Sequence, residues 1–222
     1  MASEHKVTQR KLTLVGDSCC GKTSLLRAAL YGNSPEKVQG TFDLRHNVPF
    51  EHCPGIYECN VSNEKGHSII IRLALWDTAG VYDFGRLEPL KYPGAHVVLI
   101  SFAIDSPDSM DNVEQKVILP YALGFVLAIG SAAHFCPGIP IILVGLKKDL
   151  RDDTVTIEEL RKNGLKPTPK SFGDALAHKI GAYRYLECSS LTGEGVKDVF
   201  ETGSAASLLE PKDKAERCCA IL

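Results

Sequence analysis

The stretch Gly16-Asp17-Ser18-Cys19-Cys20-Gly21-Lys22-Thr23 decides how this chain is read. Ahead of it lies Lys11-Leu12-Thr13-Leu14-Val15, an apolar alternation of the kind a half-buried strand shows; behind it runs Ser24-Leu25-Leu26-Arg27-Ala28-Ala29-Leu30, a helix-forming segment. Strand, glycine-bounded loop and helix follow one another, and the spacing G-x-x-x-x-G-K-[ST] is that of a loop that wraps phosphate. In such a loop consecutive backbone N–H groups make a concavity for anions, and the helix start adds its dipole. Lys22 reaches the β- and γ-phosphates and the Thr23 hydroxyl ligates Mg²⁺. Gly16 through Ser24 are therefore candidate nucleotide-binding residues. The motif implies a nucleoside triphosphate and says nothing of its base.

A chain of 222 residues suffices for one domain with a tail and a substantial core. The formal charge of −2 argues against a nucleic-acid partner held mainly by phosphate contacts. Eight cysteines form no C-x-x-C pair and two of them sit in the phosphate loop, which fits a reduced cytosolic chain better than a disulfide scaffold. The polar start Met1-Ala2-Ser3-Glu4-His5-Lys6 has no signal-peptide character, and Ala2 stands where myristoylation needs glycine.

Gly32 to Pro54 reads as a long polar loop. Ile56 to Val61 and Ser68 to Trp76 read as two strands of a hairpin joined through Asn63-Glu64-Lys65-Gly66-His67. Asp77-Thr78-Ala79-Gly80 then closes the second strand, where a phosphate-loop enzyme places the acidic residue that holds Mg²⁺. The continuous apolar runs His96 to Phe102 and Ile139 to Val144 predict central parallel strands covered on both faces. A last strand, Tyr183 to Cys188, precedes a helix over Val196 to Leu209. This alternation predicts an α/β fold with a doubly wound, mostly parallel sheet carrying one antiparallel hairpin strand, its ligand at the strands' carboxyl ends.

Several stretches make the chain resemble a small GTPase of the Rho family within the Ras superfamily. They are Leu73-Ala74-Leu75-Trp76-Asp77-Thr78-Ala79-Gly80, Arg86 to Pro93, Ile104-Asp105-Ser106-Pro107-Asp108-Ser109, His134-Phe135-Cys136-Pro137, Ile141 to Gly145 and Glu187-Cys188-Ser189. The resemblance covers most of residues 11–205, implying a GTPase domain there and a tail over 206–222. Asp152 to Lys170 is similar to the helical insert that marks Rho proteins. Carried over position by position, Lys147 and Asp149 match the guanine-reading motif, in which the aspartate accepts from the guanine N1–H and 2-amino group. Ser189, Ser190 and Leu191 match the loop whose N–H groups approach the base oxygen. Asp77 and Gly80 match the segment beneath the γ-phosphate. The resemblance implies GTP/GDP and Mg²⁺ as ligands, and effectors, exchange factors and a GDP-dissociation inhibitor of Rho type as partners. It also implies signalling to the actin cytoskeleton and cell polarity.

The pattern departs from the family in several places. Val81 follows Asp77-Thr78-Ala79-Gly80 where the family has the glutamine that orients the attacking water, and valine offers neither donor nor acceptor. Ser18 stands where glycine is usual, so a Cβ enters where the backbone approaches the γ-phosphate. Both predict GTP binding with impaired hydrolysis. Leu146 replaces the common asparagine of the guanine motif, and Ser34 replaces an aromatic that packs against guanine. The switch threonine reads two ways. Counted from the phosphate loop it is Thr41, a second Mg²⁺ ligand and the favoured reading, catalytic alongside Lys22; counted back from the hairpin, Pro54-Gly55-Ile56-Tyr57-Glu58 puts Gly55 in its place. Val117 to Ala133 holds an apolar insert broken by Pro120, Gly124 and Gly130, too short for the roughly 20 residues of a membrane span. An exposed apolar loop, a longer buried helix and translated non-coding sequence all satisfy that pattern. His46, His52, Cys53 and Cys59 have ligand chemistry but no usual zinc spacing.

The sequence ends Arg217-Cys218-Cys219-Ala220-Ile221-Leu222. A C-a-a-X box with Leu last predicts geranylgeranylation of Cys219. One lipid anchors marginally, and Lys212, Lys214 and Arg217 are offset by Glu210, Asp213 and Glu216, so acylation of Cys218 is the expected second anchor. The implied location is the cytoplasmic face of the plasma membrane, lipid-anchored, with a cytosolic pool. The alternative function is a pseudo-GTPase acting as an interaction scaffold at the membrane.

Overall fold

The computed structural model describes residues 7–32, 55–62, 68–76, 92–118 and 138–209. Strand β1 (Val7–Gly16) leads into helix α1 (Lys22–Tyr31). Strands β2 (Gly55–Ser62) and β3 (Ser68–Trp76) follow, then β4 (Val97–Ala103), α2 (Pro107–Ile118) and β5 (Ile141–Leu146). After a 3₁₀ turn over Lys148–Arg151 come α3 (Thr154–Lys162), α4 (Lys170–Lys179), β6 (Arg184–Glu187) and α5 (Val196–Ala206).

The six strands form one sheet in the order β2-β3-β1-β4-β5-β6. Only β2 and β3 pair antiparallel; every other neighbouring pair is parallel. The expected doubly wound sheet with one antiparallel hairpin strand is thus what forms. β4 is buried along its whole length, as a strand covered on both faces must be. Its side chains alternate between two cores. Val97, Leu99 and Ala103 join Leu12, Leu14, Leu25, Leu26, Val199 and Phe200 beneath α1 and α5. Val98, Ile100 and Phe102 join Val15, Met110, Val113, Leu143 and Leu176 beneath α2 and α4. The period-two alternation of a strand therefore divides one apolar run between both layers.

β2 alternates half-buried and exposed along its length, as an edge strand does. Tyr57 turns inward onto Phe200, ring centroids 5.0 Å apart. Helix α3 begins where the insert was expected; the Asp153 carboxylate caps it, accepting from Thr156 N at 2.8 Å and Thr156 Oγ1 at 2.7 Å. No α3 residue is buried, so this helix stands out from the body. Among the described residues no helix is long and apolar enough to cross a membrane, and no group of metal-ligand side chains gathers. Thr41, Asp77, Gly80, Val81, the apolar insert at 119–133 and the tail with Cys218 and Cys219 lie outside the described residues.

Candidate functional site

β1 runs into the phosphate loop because Gly16 lets its end lie flush against β4. A β-carbon at Gly16 would sit 2.3 Å from Ser101 O and 2.5 Å from Ser101 Oγ. The Ser101 hydroxyl donates to Val15 O at 2.9 Å and lies 3.6 Å from Cys20 Sγ, so the Cys20 side chain points into the core while its backbone stays in the loop. Cys19, exposed, and Gly21 both adopt positive φ, 59° and 108°. Such backbone curls the loop and turns successive N–H groups inward. The Asp17 carboxylate accepts from Asn112 Nδ2 of α2 at 2.6 Å, which fixes the loop's entry.

Lys22 opens α1 and folds back over the loop, its ammonium donating to Gly16 O at 3.0 Å and Asp17 O at 2.6 Å. It is 6% exposed. A buried ammonium whose described oxygen partners are two carbonyls is a charge that an anion would compensate. A polyphosphate fits this cradle on that ground. Of the expected Mg²⁺ ligands, Thr23 is the one among the described residues, and it stands in the first turn of α1.

β5 delivers the turn expected to read the base. Leu146, its last residue, is 1% exposed. Leu146 Cδ1 and Lys147 Cγ come within 3.7 and 3.9 Å of a β-carbon built on Gly21, so the two expected sub-sites pack together. Lys147 takes a left-handed conformation, φ 59°, and its ammonium meets Asp105 Oδ2 at 2.9 Å. Asp149 stands in the 3₁₀ turn that follows. That turn is tied to the segment after β6: Lys148 N donates to Cys188 O at 3.0 Å, and Cys188 N donates to Gly145 O at 2.9 Å. Lys148 also pairs with Glu194 across the loop. Ser189 is fully buried; its N–H donates to Glu194 O at 2.9 Å and its Oγ accepts from Thr192 N at 3.1 Å. Ser190 is half-buried and Leu191 exposed at the loop's outer edge.

Arg151 anchors the turn from below. Its fork engages Glu187 through two bonds of 2.6 Å and also donates to Thr168 O. Tyr185 OH donates to the same carboxylate at 2.6 Å. Burial alone would raise the Glu187 carboxyl, but hydrogen bonds from Arg151 and Tyr185 outweigh it and hold it below the usual carboxylate range. Burial and the neighbouring Glu187 push the Tyr185 phenol up. Burial likewise pushes the Cys188 thiol up to about 12, which makes it an inert structural cysteine.

Gly16 through Ser24, Lys147, Asp149 and Ser189 through Leu191 thus come together at the carboxyl ends of β1, β5 and β6. Sequence reading missed their supports: Asp105, Asn112, and the Arg151–Glu187–Tyr185 cluster. Asp105 and Glu187 lie inside segments that carry the family resemblance, but nothing local marks their partners.

A doubly wound sheet with a phosphate loop after β1 at its strands' carboxyl ends defines a P-loop nucleotide-binding domain. The chain belongs to the Ras family, whose model matches residues 11–208. Its relatives are Rho-type GTP-binding proteins. GTP-binding protein rho5 of Schizosaccharomyces pombe is 44% identical over 220 residues, covering 96% of this chain and 98% of the relative. GTP-binding protein RHO1 of Candida albicans is 44% identical over 215 residues, covering 96% of each. GTP-binding protein RHO1 of Saccharomyces cerevisiae is 44% identical over 201 residues, covering 90% of this chain and 84% of the relative.

Proposed function

We propose that this chain is a Rho-like molecular switch that binds GTP and GDP with Mg²⁺ and hydrolyses GTP slowly. The observation that carries the reading is the packing of Leu146 and Lys147 against Gly21. It sets the buried Lys22 ammonium, for phosphate, beside the Asp149-bearing turn, for the base.

Lys22, held by the loop's own carbonyls, supplies fixed positive charge where charge spreads on the transferring phosphoryl group. Thr23, with Thr41 and Asp77, would hold Mg²⁺, which when bound neutralises triphosphate charge. Asp149 would accept from guanine, and the N–H groups of Ser189 to Leu191 would approach the base oxygen. Water is the nucleophile, and Val81 gives it no hydrogen bond. Missing that contact costs roughly 2 kcal/mol of transition-state stabilisation, enough to slow hydrolysis more than tenfold. Geranylgeranylation at Cys219 and acylation at Cys218 would place the switch on the cytoplasmic face of the plasma membrane. Effectors of Rho type would meet it along Ile56-Tyr57-Glu58, where Ile56 is 60% exposed, and the pathway is the family's, actin organisation and polarity.

One observation favours the scaffold as a second reading. Gly55 opens β2 opposite Leu75, and a β-carbon there would meet Leu30 Cδ1 at 2.2 Å. A threonine there would only have to turn the flexible end of Leu30 aside; what favours the scaffold is that glycine at the head of this strand offers no hydroxyl to a γ-phosphate. The test is nucleotide loading followed by single-turnover hydrolysis of the purified chain. Tight GTP and GDP binding with a slow cleavage step is the expected result. A rate typical of Rho proteins overturns the impaired-hydrolysis reading, and a chain that takes up no guanine nucleotide leaves the scaffold.

A further inference from the structure

We propose that Asp105 is a positioning residue of the nucleotide site, holding Lys147 in the one conformation that lays its side chain along the phosphate loop. This rests on the guanine-nucleotide reading above and deepens it.

The argument starts from register. β4 and β5 pair in parallel with Ala103 opposite Leu146, and Ile104 N extends the ladder by donating to Leu146 O at 2.9 Å. Asp105 and Lys147 therefore leave adjacent strands side by side at their carboxyl ends. The Lys147 ammonium and Asp105 Oδ2 stand 2.9 Å apart, with the two side chains 33% and 21% exposed.

Two features of this pair exceed what an ordinary surface ion pair requires. Lys147 has φ 59°, and a left-handed backbone costs a non-glycine residue about 1 kcal/mol or more, so it persists only where the surroundings hold it. Asp105 Oδ1 is buried with no hydrogen-bond partner. A buried acceptor left unpaired is costly. An apolar side chain would avoid that cost, so the carboxylate's presence calls for a use of its charge, and the group it touches is Lys147. With the ammonium tethered, the lysine stem runs past Gly21, its Cγ 3.9 Å from a β-carbon built there. Without the tether the stem is a flexible chain of rotatable bonds whose ammonium prefers water, and the wall between base and phosphate sub-sites loosens.

The test is a double-mutant cycle on nucleotide release. The full chain is loaded with the fluorescent probe mant-GDP and chased with excess GDP, for wild type, Asp105→Asn, Lys147→Gln and the double variant. Asp105→Asn releases about fivefold faster, the effect of losing one charge-assisted bond. In the Lys147→Gln background the same change adds nothing, because its target is gone. Asp105→Glu keeps the charge on a longer arm and recovers most of the retention. Release unchanged by Asp105→Asn, an equal acceleration with and without Lys147, or no recovery in Asp105→Glu each overturns the proposal. A wild type that takes up no mant-GDP overturns the nucleotide reading itself, a result plainly different from a wild type that binds while Asp105→Asn changes nothing.

Discussion

Gly16 and Gly21 bound the same loop and both have positive φ, but only Gly16 also lacks room for a β-carbon. At Gly16 space is added to conformation: φ is 156°, and a β-carbon would also meet the Ser101 carbonyl at 2.3 Å, on a fully buried central strand. Gly16→Ala should therefore destabilise the fold by about 2–3 kcal/mol, as overpacking against a rigid core does. At Gly21 the space is open, with nothing nearer than 3.7 Å, but φ is 108°. Gly21→Ala should cost about 1–2 kcal/mol of backbone strain. Urea midpoints at unchanged slope would separate the two, and equal costs would refute the distinction. Val81 belongs at this scale too. If hydrolysis is slow because water lacks a hydrogen-bonding partner there, Val81→Gln should raise the single-turnover rate more than tenfold. A rate unchanged by the new amide would locate the defect elsewhere, with Ser18 the next residue to revert.

At the scale of elements, the 3₁₀ turn that carries Asp149 is held from beneath by Arg151, whose fork grips Glu187 on β6. The Glu187 side chain is 5% exposed, so removing its partner leaves a buried charge. Arg151→Ala should cost about 3 kcal/mol and loosen the turn that carries Asp149. The pH dependence follows from the sign of the shift. The folded-state carboxyl is held below its unfolded value, so its stabilisation is complete above the ordinary carboxylate range and disappears as pH falls through the depressed value. Glu187→Gln should be less stable at pH 7 and show a flatter loss of stability on acidification; parallel acid limbs for variant and wild type would contradict this. The same contacts explain what the sequence disclosed and what it withheld. The phosphate loop was legible because its chemistry lies within consecutive residues, and β4 because a strand buried on both faces reads as a nearly continuous apolar run. Arg151 and Glu187 are 36 positions apart, Lys147 and Asp105 are 42, and Asn112 and Asp17 are 95. Such pairs exist only once the sheet has its register, and no local spacing encodes that. The Gly55–Leu30 contact is of the same kind, set by how β2 lies across α1.

For the molecule as a whole, the question on the proposed reading is how a switch with a formal charge of −2 would stay on a membrane. Electrostatic attraction to an anionic leaflet is not available from the last segment, where Lys212, Lys214 and Arg217 face an equal number of carboxylates at Glu210, Asp213 and Glu216. Among the described residues no helix is long and apolar enough to span a bilayer. On the proposed reading, retention comes from lipid: a geranylgeranyl group at Cys219 and an acyl group at Cys218. Each buried methylene contributes about 0.8 kcal/mol, and a single chain gives only reversible attachment. The two cysteines should accordingly fail in different ways. Cys219→Ser removes the prenyl group and should move the protein fully to the soluble fraction. Cys218→Ser should leave it prenylated but exchanging, so that fractionation shows a mixed population and photobleaching recovery becomes several-fold faster. Adding basic charge should rescue the second defect and not the first: in the Cys218→Ser background, Glu210→Lys, Asp213→Lys and Glu216→Lys should restore residence on anionic vesicles at low salt and lose it at high salt, since Lys near such a surface contributes about 1 kcal/mol each and is screened within a Debye length. If Cys218→Ser alone leaves residence time unchanged, the second lipid is absent and the single prenyl chain is being held by a protein partner.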